Sequence, residues 1–140
     1  LTTAQQYSRA YIAKDWERVV ALTHPRVLKA AEGSVSFRAE LEGIASASEY
    51  WPIGEQLSSA AECAIDRERL AVIKTQRTYG FLQGERQFSH VYLAHSIDEG
   101  RSWSIVDMSC TNPETARTIM PRLRDNKCGT IDLETFFPAQ

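Results

Sequence analysis

Two hydrophobic periods divide the chain. Up to about residue 50, apolar side chains return every three or four positions; from about residue 58 to residue 109 they alternate. The first spacing lays a stripe along a helix and the second lays a face along a strand. Thr2 or Thr3 is placed to cap a first helix, with Gln5 or Gln6 at the capping-box position and Tyr7, Ala10 and Tyr11 on its apolar side. Asp15 is placed to cap a second helix over Trp16–Leu22, turning Trp16, Val19, Val20 and Thr23 inward. Thr23-His24-Pro25 breaks that helix; Pro25 suits the first position of a short third helix and Gly33 its stop. A fourth helix is expected over 36–50, with Phe37, Leu41, Ile44 and Ala45 as its stripe and Trp51-Pro52-Ile53-Gly54 as its end.

The alternating half predicts strands over 60–65, 69–82, 86–97 and 101–109, with turns at Gln83-Gly84 and Asp98-Glu99-Gly100. Hairpin joined to hairpin gives an antiparallel meander. Asn112 and Pro113 open a last helix, which Pro121 stops. The tail, 126–140, carries Ile131, Leu133, Phe136 and Phe137, which call for burial on the domain or on a partner. Helices followed by a run of strands indicate one α+β domain over 1–140, with the helices packed on the concave face of a curved antiparallel sheet. The sheet's other face is then free to be wet or dimerised.

Pairing back from a Gln83-Gly84 loop sets Tyr79 opposite Phe88, Arg77 opposite His90 and Thr75 opposite Tyr92. The next turn has two settings. A two-residue loop at Glu99-Gly100 sets Tyr92 opposite Asp107 and Ser96 opposite Trp103; a three-residue loop moves Asp107 beside Val91 on the other face. On the first setting, Arg77, His90, Tyr92 and Asp107 converge in an aromatic-lined cavity under the helices. Asp107 and His90 are then a candidate general acid–base pair. Tyr11, Arg77, Tyr79, Tyr92 and Trp103 are candidate contacts for a small apolar or aromatic ligand. The competing reading is a structural network in which Asp–Arg and His–Tyr pairs only satisfy each other. The opposite face, with Val72, Lys74, Gln76, Val91, Leu93 and His95, suits a half-exposed surface or a homodimer seam. His95 is expected there as plain surface or interface, and His24, at its helix break, to complete a cap or contact the last carbonyls.

Composition narrows the classes. The apolar fraction of 43%, the charged fraction of 24% and the net charge of -2 are ordinary for a globular domain. With no basic stripe, nucleic-acid binding is not expected. No apolar run is long enough to span a membrane. The chain opens at Leu1, as after loss of a signal peptide or tag or in a fragment, and a periplasmic or secreted location is favoured over a cytoplasmic one. Cys63 reads as a small core residue. Cys110 and Cys128 flank the last helix, where a bridge would contribute about 3 kcal/mol. No metal-ligand spacing, phosphate-cradling loop or nucleophile elbow occurs, so no metal or cofactor is expected.

Several local strings resemble the nuclear-transport-factor-2-like superfamily, the cone fold of ketosteroid isomerases and polyketide cyclases. They are Tyr11, Asp15, Thr23-His24-Pro25 and Gly33, then Asp98-Glu99-Gly100, Trp103 and Asp107, then Ile119-Met120-Pro121. The likeness runs over about 4–123 and is greatest to a bacterial branch without a settled activity, often exported. Glu32-Gly33 departs from that branch's glycine pair, and the tail after Asp125 does not follow its pattern. The resemblance implies a cone fold and a pocket between helices and sheet, not a reaction. The expected function is a small-molecule-binding or accessory domain, as a homodimer. The alternatives are an isomerase, cyclase or dehydratase using Asp107 with His90 or Tyr92, and an interaction module that docks through its tail.

Overall fold

The computed structural model describes residues 2–124 and residue 135. The helical half forms α1 (Thr2–Ile12), α2 (Trp16–Leu22), α3 (Pro25–Ala30) and α4 (Ser34–Ala47). Asp15 caps α2 by accepting from the Arg18 amide, and Trp16 and Val19 are buried as the stripe requires. At the α3–α4 junction Gly33 stops α3 as expected, and α4 begins directly at Ser34 rather than at 36. The Gly33 amide donates to the Leu28 carbonyl at 2.8 Å, while its own carbonyl receives the Phe37 amide. Gly33 thus closes one helix and opens the next from φ 112°, a conformation that favours glycine. On α4, Leu41 is buried and Phe37 and Ala45 pack against the core, whereas Ile44 points outward.

The sheet has four strands in the order β1-β2-β3-β4, all antiparallel: β1 (Trp51–Ile65), β2 (Glu68–Phe81), β3 (Gly84–Ser96) and β4 (Ser104–Asp107). Its largest departure from the sequence reading is β1. Trp51-Pro52-Ile53-Gly54 does not end α4 but begins a strand of 15 residues. β1 is an edge strand, where proline is tolerated, and it bulges between Pro52 and Gly54 and between Ser59 and Ala61. Each bulge resets the inward–outward alternation, which hides the strand's period.

The β2–β3 turn is centred on Leu82-Gln83, so Phe81 rather than Leu82 closes the hairpin, opposite Gly84. Arg77 therefore faces Phe88, and Thr75 faces His90. The slip is two residues, so every side chain keeps its expected face. β3 and β4 adopt the register that sets Tyr92 opposite Asp107, and the ladder ends at His95 and Ser104. Asp98 holds the intervening turn. Its carboxylate accepts from the Ser96 and Ser102 hydroxyls and from the Ser102 amide. Those bonds draw its pKa well below the usual carboxylate range.

Two apolar cores result. The inner one packs α1, α2 and α4 through Tyr7, Trp16, Val19 and Leu41 against Ile73, Tyr92 and Ile105. The outer one corrects the picture of a face left free of helices. A 3₁₀ turn (Met108–Cys110) leads to α5 (Pro113–Ile119), capped by Asn112, and then to α6 (Pro121–Arg124). Ala116, Ile119 and Met120 cover Leu70, Val72, Val91, Leu93 and Val106. The polar half of that face, with Lys74, Gln76 and Ser89, stays exposed. No described helix is long and apolar enough to cross a membrane.

Cys63 is half-buried against the outer core and is disulfide-bonded, not a simple core thiol. The expected 110–128 bridge falls on Cys128, which lies with the apolar tail residues outside the described residues. Alkylation of the unfolded, unreduced chain is expected to label one cysteine, and after reduction all 3 of them. Complete labelling without reduction would rule the bridge out.

Candidate functional site

The inner face of the sheet is built from alternate residues of β1, β2 and β3 and one end of β4. Arg77 is at its centre, with its side chain 2% exposed. Its guanidinium donates from Nε to Glu55 Oε2 at 2.9 Å, from Nη1 to the Tyr79 hydroxyl at 3.3 Å, and from Nη2 to the Tyr92 hydroxyl at 2.8 Å. Nη2 also reaches Asp107 Oδ2 at 3.4 Å. The Tyr92 hydroxyl in turn donates to Glu55 Oε1 at 2.6 Å, and Thr75 donates to Oε2 at 2.6 Å. The Arg77 guanidinium lies over the Tyr11 ring, 5.1 Å from its centroid, and Tyr7 meets Tyr92 edge-on at 5.4 Å.

Burial disfavours each charge here, and the partners decide the outcome. Burial would lower the pKa of Arg77, but Asp107, Tyr92 and Glu55 outweigh it and hold the guanidinium firmly charged. Burial would raise that of Glu55, but Arg77 and hydrogen bonds from Ser8, Thr75 and Tyr92 bring it below its ordinary value. Burial, reinforced by Asp107, pushes the Tyr92 hydroxyl up, so Tyr92 stays a proton donor. His90 is lowered by burial and by Arg77, against the pull of Asp107 and Glu55, which favours its neutral form.

Tyr11, Arg77, Tyr79, Tyr92 and Asp107 therefore meet as the sequence suggested, but their chemistry differs from a free acid–base pair. Both Asp107 oxygens are engaged, Oδ2 by Arg77 and Oδ1 by the Ser109 amide at 2.9 Å. His90 and Asp107 share no hydrogen bond, and His90 Nε2 is buried without a partner. Trp103 stands at the far end of β4, its indole N–H on the Gly100 carbonyl at 2.9 Å. Beyond Tyr79 the inner face continues as a partly exposed aromatic ledge of Tyr50, Phe81 and Phe88.

Sequence reasoning missed Glu55, the principal partner of Arg77, with its side chain 1% exposed. The available signal was a lone acidic residue in a stretch of Gly, Gln, Leu and Ser, readable only once that stretch is known to pair with β2. Glu55 also lines an open cleft of about 440 Å³ between α1 and β1, together with Gln5, Ser8, Arg9, Gln56 and Leu57. Among the described residues, no group of three or more His, Cys, Asp or Glu side chains is placed to hold a metal ion.

The remaining histidines meet at the other end of the sheet. His24 caps α3, its Nδ1 accepting the Arg26 amide at 3.1 Å. His95 is on the outer face but is not plain surface. It faces His24 at 3.0 Å and Glu68 at 2.8 Å.

No family model matches this sequence, and no curated protein matches it. Among solved structures, the chain is similar to a nuclear-transport-factor-2-like protein of unknown function from Burkholderia pseudomallei K96243. The two are 14% identical with a TM-score of 0.39, over 85% of this chain and 95% of that one. The α+β layout rests on the chain's own strand order and register, and it agrees with the cone fold that the sequence resemblance implies.

Proposed function

We propose that this chain is a non-catalytic small-molecule-binding or accessory domain whose ligand occupies the cleft between α1 and β1. The observation that carries this reading is the cleft itself, about 440 Å³ and floored by Glu55 of the Arg77 network. That volume is within the range of small-ligand sites, and behind it Glu55 and Asp107 share the buried Arg77 guanidinium. Gln5, Ser8 and Gln56 offer both donors and acceptors, Arg9 adds a cation, and Leu57 is the apolar member. Such a lining suits a small polar ligand with an anionic group better than the apolar or aromatic one suggested by the inner-face aromatics.

The isomerase, cyclase or dehydratase alternative needs a carboxylate free to take a proton. Glu55 and Asp107 are both committed to Arg77. A homodimer through the outer face has the polar half, around Lys74, Gln76 and Ser89, left to use.

The test is NMR titration with a panel of small carboxylates and neutral amides. Amide shifts are expected at Gln5, Ser8, Arg9 and Gln56. Leu57→Trp, which fills the cleft, is expected to weaken binding at least tenfold, and Arg9→Ala to weaken carboxylates more than amides. Shifts confined to other parts of the sheet, or binding unchanged in Leu57→Trp, would overturn the proposal. Turnover of a bound compound would favour the enzyme alternative.

A further inference from the structure

The segment joining α2 to α3 runs along β4. Thr23 forms a parallel bridge to Ile105, and the His24 amide donates to the Ile105 carbonyl at 2.9 Å. This seals a sheet edge that would otherwise present unpaired backbone groups. The His24 side chain continues past the edge and lies edge to edge with His95, with centroids 5.2 Å apart and planes 17° apart.

Hydrogen bonding assigns both tautomers. Because the Arg26 amide donates to His24 Nδ1, that nitrogen carries a lone pair and the proton is on Nε2. Nε2 faces His95 Nδ1 at 3.0 Å, which must then accept, so His95 carries its proton on Nε2 and donates to Glu68 Oε1 at 2.8 Å. Glu68 Oε2 accepts from Arg122 Nε of α6 at 2.9 Å. Both rings are fully used, and only in the neutral form. A proton added to His24 Nδ1 removes the α3 cap. A proton added to His95 Nδ1 turns it toward the N–H of His24.

We infer that the His24–His95 pair is an acid-sensitive latch that holds the α2–α3 corner to the sheet. The surrounding charges favour release. The pair is faced by Arg26 from α3, by Glu68 from β2 and, through Glu68, by Arg122 from α6. β4 contributes the Ile105 carbonyl and the Ser104 hydroxyl, and α5 its Ile119 carbonyl, which accepts from Arg26. The one carboxylate, Glu68, already holds Arg122 and the His95 N–H, so a positive charge on His24 meets Arg26 and no carboxylate of its own.

Burial, then His95 and Arg26, lower the His24 pKa to about 4. Its unfolded value is near 6.5, so the closed latch is fully stable above about pH 6.5. That stability is lost as the pH falls toward 4, by at most about tenfold per pH unit.

The test is amide exchange by NMR on the intact chain between pH 7 and pH 4.5, corrected for the intrinsic exchange rate. Protection at His24, Arg26 and Val27 is expected to fall by up to about tenfold per unit below pH 6.5, ahead of the Val72 and Leu93 amides. His24→Asn keeps a capping oxygen without a titrating ring and is expected to flatten that slope. If that variant does not fold, His95→Gln decides. The glutamine side-chain amide, with one acceptor and one donor end, replaces both hydrogen bonds, and His24 is then expected to titrate at a higher pH than in the parent. Protection that is flat with pH in the parent, an unchanged slope in His24→Asn, or an unmoved His24 titration in His95→Gln would overturn the latch.

Discussion

Arg77→Met is expected to destabilise the fold by about 3–5 kcal/mol at pH 7, the cost of leaving a buried partner charge uncompensated. Glu55, with its side chain 1% exposed, would keep its hydrogen bonds from Thr75 and Tyr92 but lose its cation. The pH dependence should change with it. In the parent chain the Glu55 pKa is below its ordinary value, so its contribution is present above about pH 4.5 and is lost on acidification through the folded value. In Arg77→Met nothing opposes burial strongly enough, and the Glu55 pKa should rise above its unfolded value. Protonation then favours the folded state, so the gap between variant and parent should narrow as the pH falls. Adding Glu55→Gln should recover part of the loss, because the charge that lacked a partner is gone. Urea midpoints at pH 7 and pH 5 measure all of this. A loss below about 1 kcal/mol, the scale of an exposed pair, would mean that the network is solvated.

Leu93→Ala is expected to cost about 2–5 kcal/mol, the range for truncating a fully buried leucine. Leu93 is 2% exposed on the outer face, where Ala116, Ile119 and Met120 cover it. The cover comes from the same chain, so the denaturation midpoints of parent and variant should not depend on protein concentration. A cost under about 1 kcal/mol would show that α5 does not seal this face. A midpoint rising with concentration would show that a second chain supplies the cover.

Much of the architecture was legible. Asp15 and Asn112 marked helix starts because a short polar side chain can accept the first free amides. The inner face was legible because alternation has a period of two, which a register error of two residues leaves intact. Arg77, Tyr79 and Tyr92 could thus be placed together even though the hairpin turn is one position earlier than expected, whereas Asp107 joined them only through the setting of the turn at Asp98-Glu99-Gly100. Glu55 could not, because two bulges and a proline erase the period of β1. The cover on the outer face was equally hidden. α5 is short, and nothing in its local pattern says which side of the sheet it packs on.

The sequence by itself determined the α+β order, the alternation that gathers Arg77, Tyr79 and Tyr92 on one face, and the caps that begin two helices. These are local properties, set by backbone geometry and near neighbours. The tertiary structure alone decided what those residues do. Packing β1 against β2 brings Glu55 within 2.9 Å of Arg77 and turns a candidate acid–base site into a buried ion network. Running Thr23–His24 along β4 brings two histidines 71 residues apart within 3.0 Å and assigns their protons. Both outcomes depend on desolvation and on partners distant in the chain, and neither is encoded in the spacing of residues along one segment.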